Sequence, residues 1–386
     1  MIYFTSICSN YLPKAMALAE SVKRNCRDAV FVLCLVEREA PQVALDFPHF
    51  DHVVLAKDAD WGNFDQFMFR HSIVEASTAV KGQFMRNLLD RFPEADKFVY
   101  LDPDVLVYSD FIELENKLDE ATVVVCPHLL RPGNIDMEIS SLAHGTFNLG
   151  FLAVSRSDNA IQFLEWWAER LFWFCYDDIP RGIFTDQKWI DLAPSFFDVH
   201  ILKHHGYDFA TWSLLGSDLR EEGGRYVVNG DPLRFIHFSG FDSGMIERAM
   251  GWWLTPENRP TFEKLYRQYV SLLEANGQVE LGKLPWSYAA YADGRKISNE
   301  ARAAYREPGL SEQIPDPFGA SDAQILAVKP KKGSGDATDA LTAQQWPTLR
   351  MSANPGLLDK LMWSSLEIGV VPTLAKAFRK LAGTKN

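Results

Sequence analysis

YLDPDV, residues 100–105, places two carboxylates and a proline directly after the apolar run Lys97-Phe98-Val99-Tyr100-Leu101. A short run rich in β-branched and aromatic residues is the pattern of a buried strand, so the acids stand at a strand's carboxyl end. Pro103 gives no amide to a ladder and biases Asp102 toward an extended backbone, which lets Asp102 and Asp104 project to the same side. Like charges that close repel unless one is protonated or a cation lies between them, and hard divalent cations favour such oxygen ligands. A surface turn is the plainer reading, because Asp and Pro also form turns.

Working outward, apolar stretches alternate with helical ones. Residues 1–8 and FVLCLVE (31–37) flank a segment whose Ala15, Leu18, Ala19 and Val22 recur at helical spacing, and DHVVLAKD (51–58) reads as a third strand. One long helix is expected from about Phe67 to Phe92, then KFVYLDPD, TVVVCPH (122–128) and FNLGFLAVS (147–155). Alternation of this kind predicts an α/β fold with a mostly parallel sheet flanked by helices, and in such sheets ligands bind beyond the strands' carboxyl ends.

The 386 residues suit one large α/β domain with additions, or two domains. With 47% hydrophobic and 23% charged residues the chain has the composition of a soluble globular protein, and its net charge of -12 argues against a nucleic-acid partner. No apolar run reaches the roughly 20 residues of a membrane helix. MIYFTSICSNYL lacks a basic n-region and a cleavage site, so it reads as a first strand rather than a signal peptide. Cys8, Cys26, Cys34, Cys126 and Cys175 form no CxxC pair and point to a reducing cytoplasm without a zinc site.

In the second half, DQKW (186–189) supplies Asp186 and Gln187, and RFIHFSGF (234–241) runs a strand into His237, Ser239 and Gly240. An imidazole there would complete a two-carboxylate metal site; alone, a histidine is more often a hydrogen-bonded core residue. Taken in order, TSICSNYLPKAMALAESV, EASTAVKGQFMRNLL, YLDPDVLV, FNLGFLAVSRS, FTDQKWIDLAP and HFSGF resemble the nucleotide-diphospho-sugar glycosyltransferases of the GT-A fold, and among them the family 8-like bacterial enzymes. The resemblance covers roughly residues 1–245.

That resemblance implies a GT-A (Rossmann-like) catalytic domain over 1–255. It also implies a UDP-sugar donor, Mn2+ or Mg2+ as cofactor, and a carbohydrate or lipid-linked acceptor. Asp102, Asp104 and His237 would hold the metal. Thr5, at the end of the first strand, and Tyr11 would contact the nucleoside, and Lys81 the diphosphate or donor sugar, although a solvated lysine fits its spacing too. Asn148 and Gly150 would line the sugar pocket, Ser239 and Gly240 would help bind the donor, and Asp186 with Gln187 would sit near the anomeric carbon, with retention of configuration. Two stretches depart from the family pattern. GYDFATWS (206–213) replaces an Asn-containing segment, which leaves contacts from Asp208 and Ser213 open. FDSGM replaces a lysine motif for which Lys203, His204 or His205 would have to substitute.

Two other classes compete with this reading. A haloacid-dehalogenase-like phosphatase also opens on Asp-x-Asp, with Asp177 and Asp178 as its later acidic pair, but it normally carries the motif on its first strand. A non-catalytic carbohydrate-binding protein would use the tryptophans, among them Trp166, Trp167, Trp173, Trp189, Trp212, Trp252 and Trp253. Val105 and Leu106 stand where an EF-hand needs oxygen ligands. Residues 256–325 read as a C-terminal extension packed on the catalytic domain, beginning with the amphipathic TFEKLYRQYVSLLEANG. Residues 326–386 read as a linker and a basic tail, with nine Lys or Arg against four acids from Lys329 onward. An amphipathic helix in that tail would give peripheral contact with the inner membrane surface.

Overall fold

The computed structural model describes residues 1–307 and 309–328, so the expected basic tail from Lys329 lies outside the described residues. Strands β1 (Ile2–Ile7), β2 (Val30–Leu35), β3 (His52–Leu55), β4 (Lys97–Leu101), β5 (Val105–Val107), β6 (Val123–Pro127) and β7 (Phe147–Ser155) supply most of the sheet structure. The central sheet has seven strands, in the order His200–Ile201, β6, β7, β4, β1, β2, β3. All its pairings are parallel except those of β7, which runs antiparallel to both β4 and β6. Reversal of β7 brings its first residues, Phe147 to Gly150, to the edge where β4 ends and Asp102 follows, and the Asp102 amide donates to the Gly150 carbonyl at 2.9 Å.

Both faces of the sheet are covered, as near-continuous apolar strands require. Phe4, Val32, Phe98 and Tyr100 face the helices Lys81–Arg91 and Asp158–Phe174, while Tyr3, Leu33 and Val99 face the helix Leu12–Asn25 through its Leu12, Ala15, Leu18, Ala19 and Val22. Alternate residues of each strand therefore serve opposite layers. Trp167 is buried in the first layer, whereas Trp252 is exposed.

The single helix expected over Phe67–Phe92 is three helices instead: Phe64–Phe69, Ile73–Ala79 and Lys81–Arg91. Ser72 causes the first break. Its hydroxyl accepts from the Glu75 amide while the Glu75 carboxylate takes the Ser72 amide, a capping box that starts a new helix. Lys81 thereby opens the third helix. Beside it, Gly82 lets that helix cross Asp158–Phe174 closely, since a Cβ there would stand 2.9 Å from the Ala168 backbone.

The helix Arg259–Ala275 ends before Gly277 (φ +79) and packs on the Leu12–Asn25 helix. Trp286, Tyr288, Tyr291, Tyr305 and Phe318 join the first of the two sheet cores. Arg302 and Arg306 donate to the Phe69 and Arg70 carbonyls, which fixes the start of the segment leading to Lys81.

Candidate metal centre

Asp102, Asp104 and His237 converge. One ligand atom from each lies within 4.8 Å of the others, a grouping that could hold a metal ion. After Pro103 the chain enters β5, which pairs antiparallel with Phe235–His237, and the register sets His237 opposite Val105. Residues 132 positions apart thus meet because both belong to one two-stranded ribbon. His237 Nε2 lies 3.1 Å from Asp104 Oδ1 and 3.7 Å from Asp102 Oδ2.

The other ring nitrogen faces Asp208. His237 Nδ1 is 3.4 Å from Asp208 Oδ1, and Asp208 is buried with neither carboxylate oxygen in an ordinary hydrogen bond among the described residues. Asp208 is held at φ +49, a backbone region that non-glycine residues enter rarely and Asp more readily than most. A parallel bridge between Phe209 and Ile236 sets it there. A carboxylate behind a histidine fixes the ring so that the far nitrogen faces a metal. This residue, left open in the sequence, is the buried acid that best fits the group to a divalent cation.

Charge in the metal-free cluster is balanced by neighbours, a third option beside the protonated acid or bridging cation that the sequence suggested. Burial alone would strip His237 of its proton, yet Asp104 and Asp208 hold it well above the ordinary histidine value. Burial would likewise raise Asp104, but His237 and, more weakly, Lys14 hold it below the usual carboxylate range. A divalent ion bound through the imidazole would displace the His237 proton, so Mn2+ affinity is expected to rise with pH in a calorimetric titration. Asp208→Asn should weaken Mn2+ binding by roughly 10- to 100-fold, the usual cost of removing such a supporting carboxylate. Unchanged Mn2+ affinity in that variant would remove Asp208 from the site.

Lys81 is buried, not solvated. Its ammonium lies 3.1 Å from Asp102 Oδ1, 2.9 Å from Asp186 Oδ2 and 3.1 Å from the Leu149 carbonyl. The Tyr100 hydroxyl donates to the same Asp102 oxygen at 2.5 Å. One oxygen of Asp102 is thus tied to Lys81 and Tyr100, and the other faces His237. Burial works against the Lys81 charge, but Asp102 and Asp186 keep its pKa well above the lysine norm. Asp186 is raised by burial, with Lys81 opposing.

Gly150 is required by the histidine. A Cβ there would stand 2.5 Å from His237 Nδ1 and 2.6 Å from Asn148 Oδ1, so the close approach is made by the imidazole. Gly150→Ala is expected to push the His237 ring out, costing about 1–3 kcal/mol of stability together with most of the Mn2+ affinity; denaturant melts and metal titration read the two effects. Asn148 is committed internally: its Oδ1 accepts from the Gly150 amide at 2.7 Å and its Nδ2 lies 3.0 Å from His128 Nε2. Burial lowers His128 to about 4, so the neutral ring accepts that bond.

The remaining expected residues are less open than the sequence implied. Gln187 spends both ends of its amide on backbone, accepting from the Leu149 amide at 3.0 Å and donating to the His144 carbonyl at 3.1 Å. Thr5 is not at its strand's end, because β1 continues to Ile7, and it is fully buried. Tyr11 is partly exposed, its hydroxyl donating to Asp242 at 2.7 Å. Ser239 is half-buried, and Gly240 (φ +82) opens the loop after His237. His204 and His205 pair with Glu113 and Asp231, at 3.6 and 2.8 Å. Asp177 and Asp178 occupy a separate two-residue strand and do not belong to the metal cluster.

No family model matches the chain. Two proteins of Bacillus subtilis (strain 168), both described only as uncharacterized, are similar to it. YfnD is 23% identical over 301 residues, 76% of this chain and 94% of that one, and YfnF is 26% identical over 247 residues, 62% and 81%. Among solved structures, the galactosyltransferase LgtC in complex with donor and acceptor sugar analogs aligns with 71% of this chain and 96% of its own, at 16% identity and a TM-score of 0.42. Mouse xyloside xylosyltransferase 1 in its apo form aligns with 62% and 96%, at 14% identity and a TM-score of 0.36.

Proposed function

We propose that the chain is a GT-A glycosyltransferase that moves a sugar from a UDP-sugar to a carbohydrate or lipid-linked acceptor, with a divalent cation at Asp102, Asp104 and His237. The observation that carries this reading is the convergence of those three side chains at the ligand-binding edge of a mostly parallel sheet, with Asp208 behind the histidine. The ordered motifs of the sequence add to it. When bound, Mn2+ or Mg2+ would supply Lewis-acid stabilisation of the negative charge that develops on the departing diphosphate.

The protein's own groups prepare that site. Lys81 and Tyr100 fix Asp102 by one oxygen and leave the other for the metal. Asp186, buried beneath Lys81, keeps the ammonium charged and so acts through Lys81 on the region of the anomeric carbon. Gln187 ties the start of β7 to the His144 end of the Ile135–His144 helix, which shapes the wall expected to receive the sugar. Tyr11 is assigned to the nucleoside, its ring offered to the base. The reading includes retention, with the acceptor attacking from the face the diphosphate leaves and the diphosphate helping to take its proton.

Calorimetry with UDP-, GDP- and CMP-sugars, followed by NMR of the product's anomeric configuration, tests both halves. UDP-sugar binding and a retained anomer are expected. Preference for another base would overturn the donor assignment, and an inverted product the stereochemistry.

A further inference from the structure

The loop that leaves the candidate metal centre folds back onto the first long helix. Phe238, next to His237, donates its amide to the Asp104 carbonyl at 2.8 Å, and its ring stacks on Tyr269 with centroids 4.1 Å apart. Gly240 and Gly244, both left-handed at φ +82 and +67, bracket the turn, and the Met245 amide closes it on the Gly240 carbonyl at 3.1 Å. This turn presents Asp242.

Asp242 Oδ2 accepts from two donors of the Leu12–Asn25 region, the Tyr11 hydroxyl at 2.7 Å and the Lys14 ammonium. Lys14 is the unusual partner. Its side chain is 2% exposed, whereas that of Asp242 is 48% exposed. The ammonium lies 3.9 Å from the centroid of the Tyr11 ring and 5.6 Å from that of Phe241, so apolar and aromatic surface surrounds it. Asp242 is its ion-pair partner among the described residues.

A buried ammonium needs an anion. Here the cation is fixed in the helix and the anion sits on a half-exposed turn five residues beyond His237. An ammonium and a hydroxyl converging on one oxygen form a seat that a phosphate oxygen fills as well as a carboxylate does. The loop that carries Asp242 begins at Phe238, whose amide is held by the Asp104 carbonyl, so the seat lies on the segment that leaves the metal centre.

We propose that Lys14 and Tyr11 form a phosphate seat for the nucleotide donor, adjoining the metal centre, and that Asp242 occupies it as a carboxylate stand-in until the phosphate displaces it. The proposal rests on the transferase reading and goes beyond it in assigning Lys14 and the exchange. Two substitutions then act in opposite directions, which a merely structural ion pair would not do.

Calorimetry with UDP and with inorganic pyrophosphate, each at saturating Mn2+, reads the effect. Lys14→Met should weaken both ligands by about tenfold or more, the worth of one charge-assisted contact. Asp242→Asn should tighten both by about threefold or more, because the seat is no longer filled by its own chain. The double variant should bind as weakly as Lys14→Met. An Asp242→Asn protein that binds UDP less tightly or unchanged overturns the proposal, and so does a Lys14→Met protein with undiminished affinity. If Lys14→Met fails to fold, the sign of the Asp242→Asn change decides alone. Failure of the unsubstituted protein to bind UDP at all would instead overturn the transferase reading, and this proposal with it.

Discussion

Lys81→Met is expected to cost about 3–5 kcal/mol of folding stability, the range for breaking a buried ion pair by removing one partner. The ammonium stands between Asp102 and Asp186, and Asp186 has Lys81 as its cation in a buried setting. Methionine fills the space but leaves Asp186 buried without its counter-charge, while Asp102 keeps the His237 cation at 3.7 Å. Burial has already raised Asp186, so protonation relieves part of the loss, and the deficit should shrink toward acid pH. Urea unfolding of both proteins across pH measures this. A difference within about 0.5 kcal/mol, the range of ordinary surface substitutions, would mean that Lys81 is a solvated lysine. Turnover should fall as well, because Asp102 loses the contact that fixes its free oxygen toward His237.

The second large effect falls on Asp104. Asp104→Ala removes one of the three proposed metal ligands, and turnover should drop by about 10²-fold or more, the magnitude attached to a preorganised charge-stabilising contact. Stability should change little. His237 keeps Asp102 at 3.7 Å and Asp208 at 3.4 Å, so its charge retains partners after the substitution. A melting temperature near that of the unsubstituted protein, joined to lost turnover, separates a functional acid from a turn-forming one.

The alternation of apolar runs and helical spacing was enough to read the α/β sheet, because strands buried on both faces must be apolar along their length. It did not reveal the reversed direction of β7. FNLGFLAVS has the same apolar character whichever way it runs, yet that reversal is what brings Asn148 and Gly150 to the site. The break at Ser72 was legible in Ser-x-x-Glu just before Ile73, but the surrounding helical spacing masked it. Asp102 and Asp104 stood out because Asp-x-Asp after a strand is a local pattern, whereas His237, which alone reads as a core residue, was singled out through the ordered motifs of the family resemblance. Asp208 offered no such pattern. Its meaning comes from a bridge between Phe209 and Ile236 and from a left-handed backbone, neither of which short-range sequence encodes. Lys14 was hidden for the opposite reason, since it sits in a strongly helical segment where a lysine ordinarily faces water.

The central claim is that Asp102, Asp104 and His237 form one metal site serving the donor's diphosphate. The measurement that tests it most directly is UDP-sugar hydrolysis as a function of Mn2+ concentration for the unsubstituted protein and for Asp104→Ala and His237→Ala. Saturable activation by Mn2+ that EDTA abolishes is predicted, with the greater loss in Asp104→Ala and a weaker Mn2+ response in His237→Ala, where water can replace the imidazole. Full activity in EDTA, or an Asp104→Ala protein with unaltered turnover and metal response, would contradict the account and leave the two acids of YLDPDV as a turn.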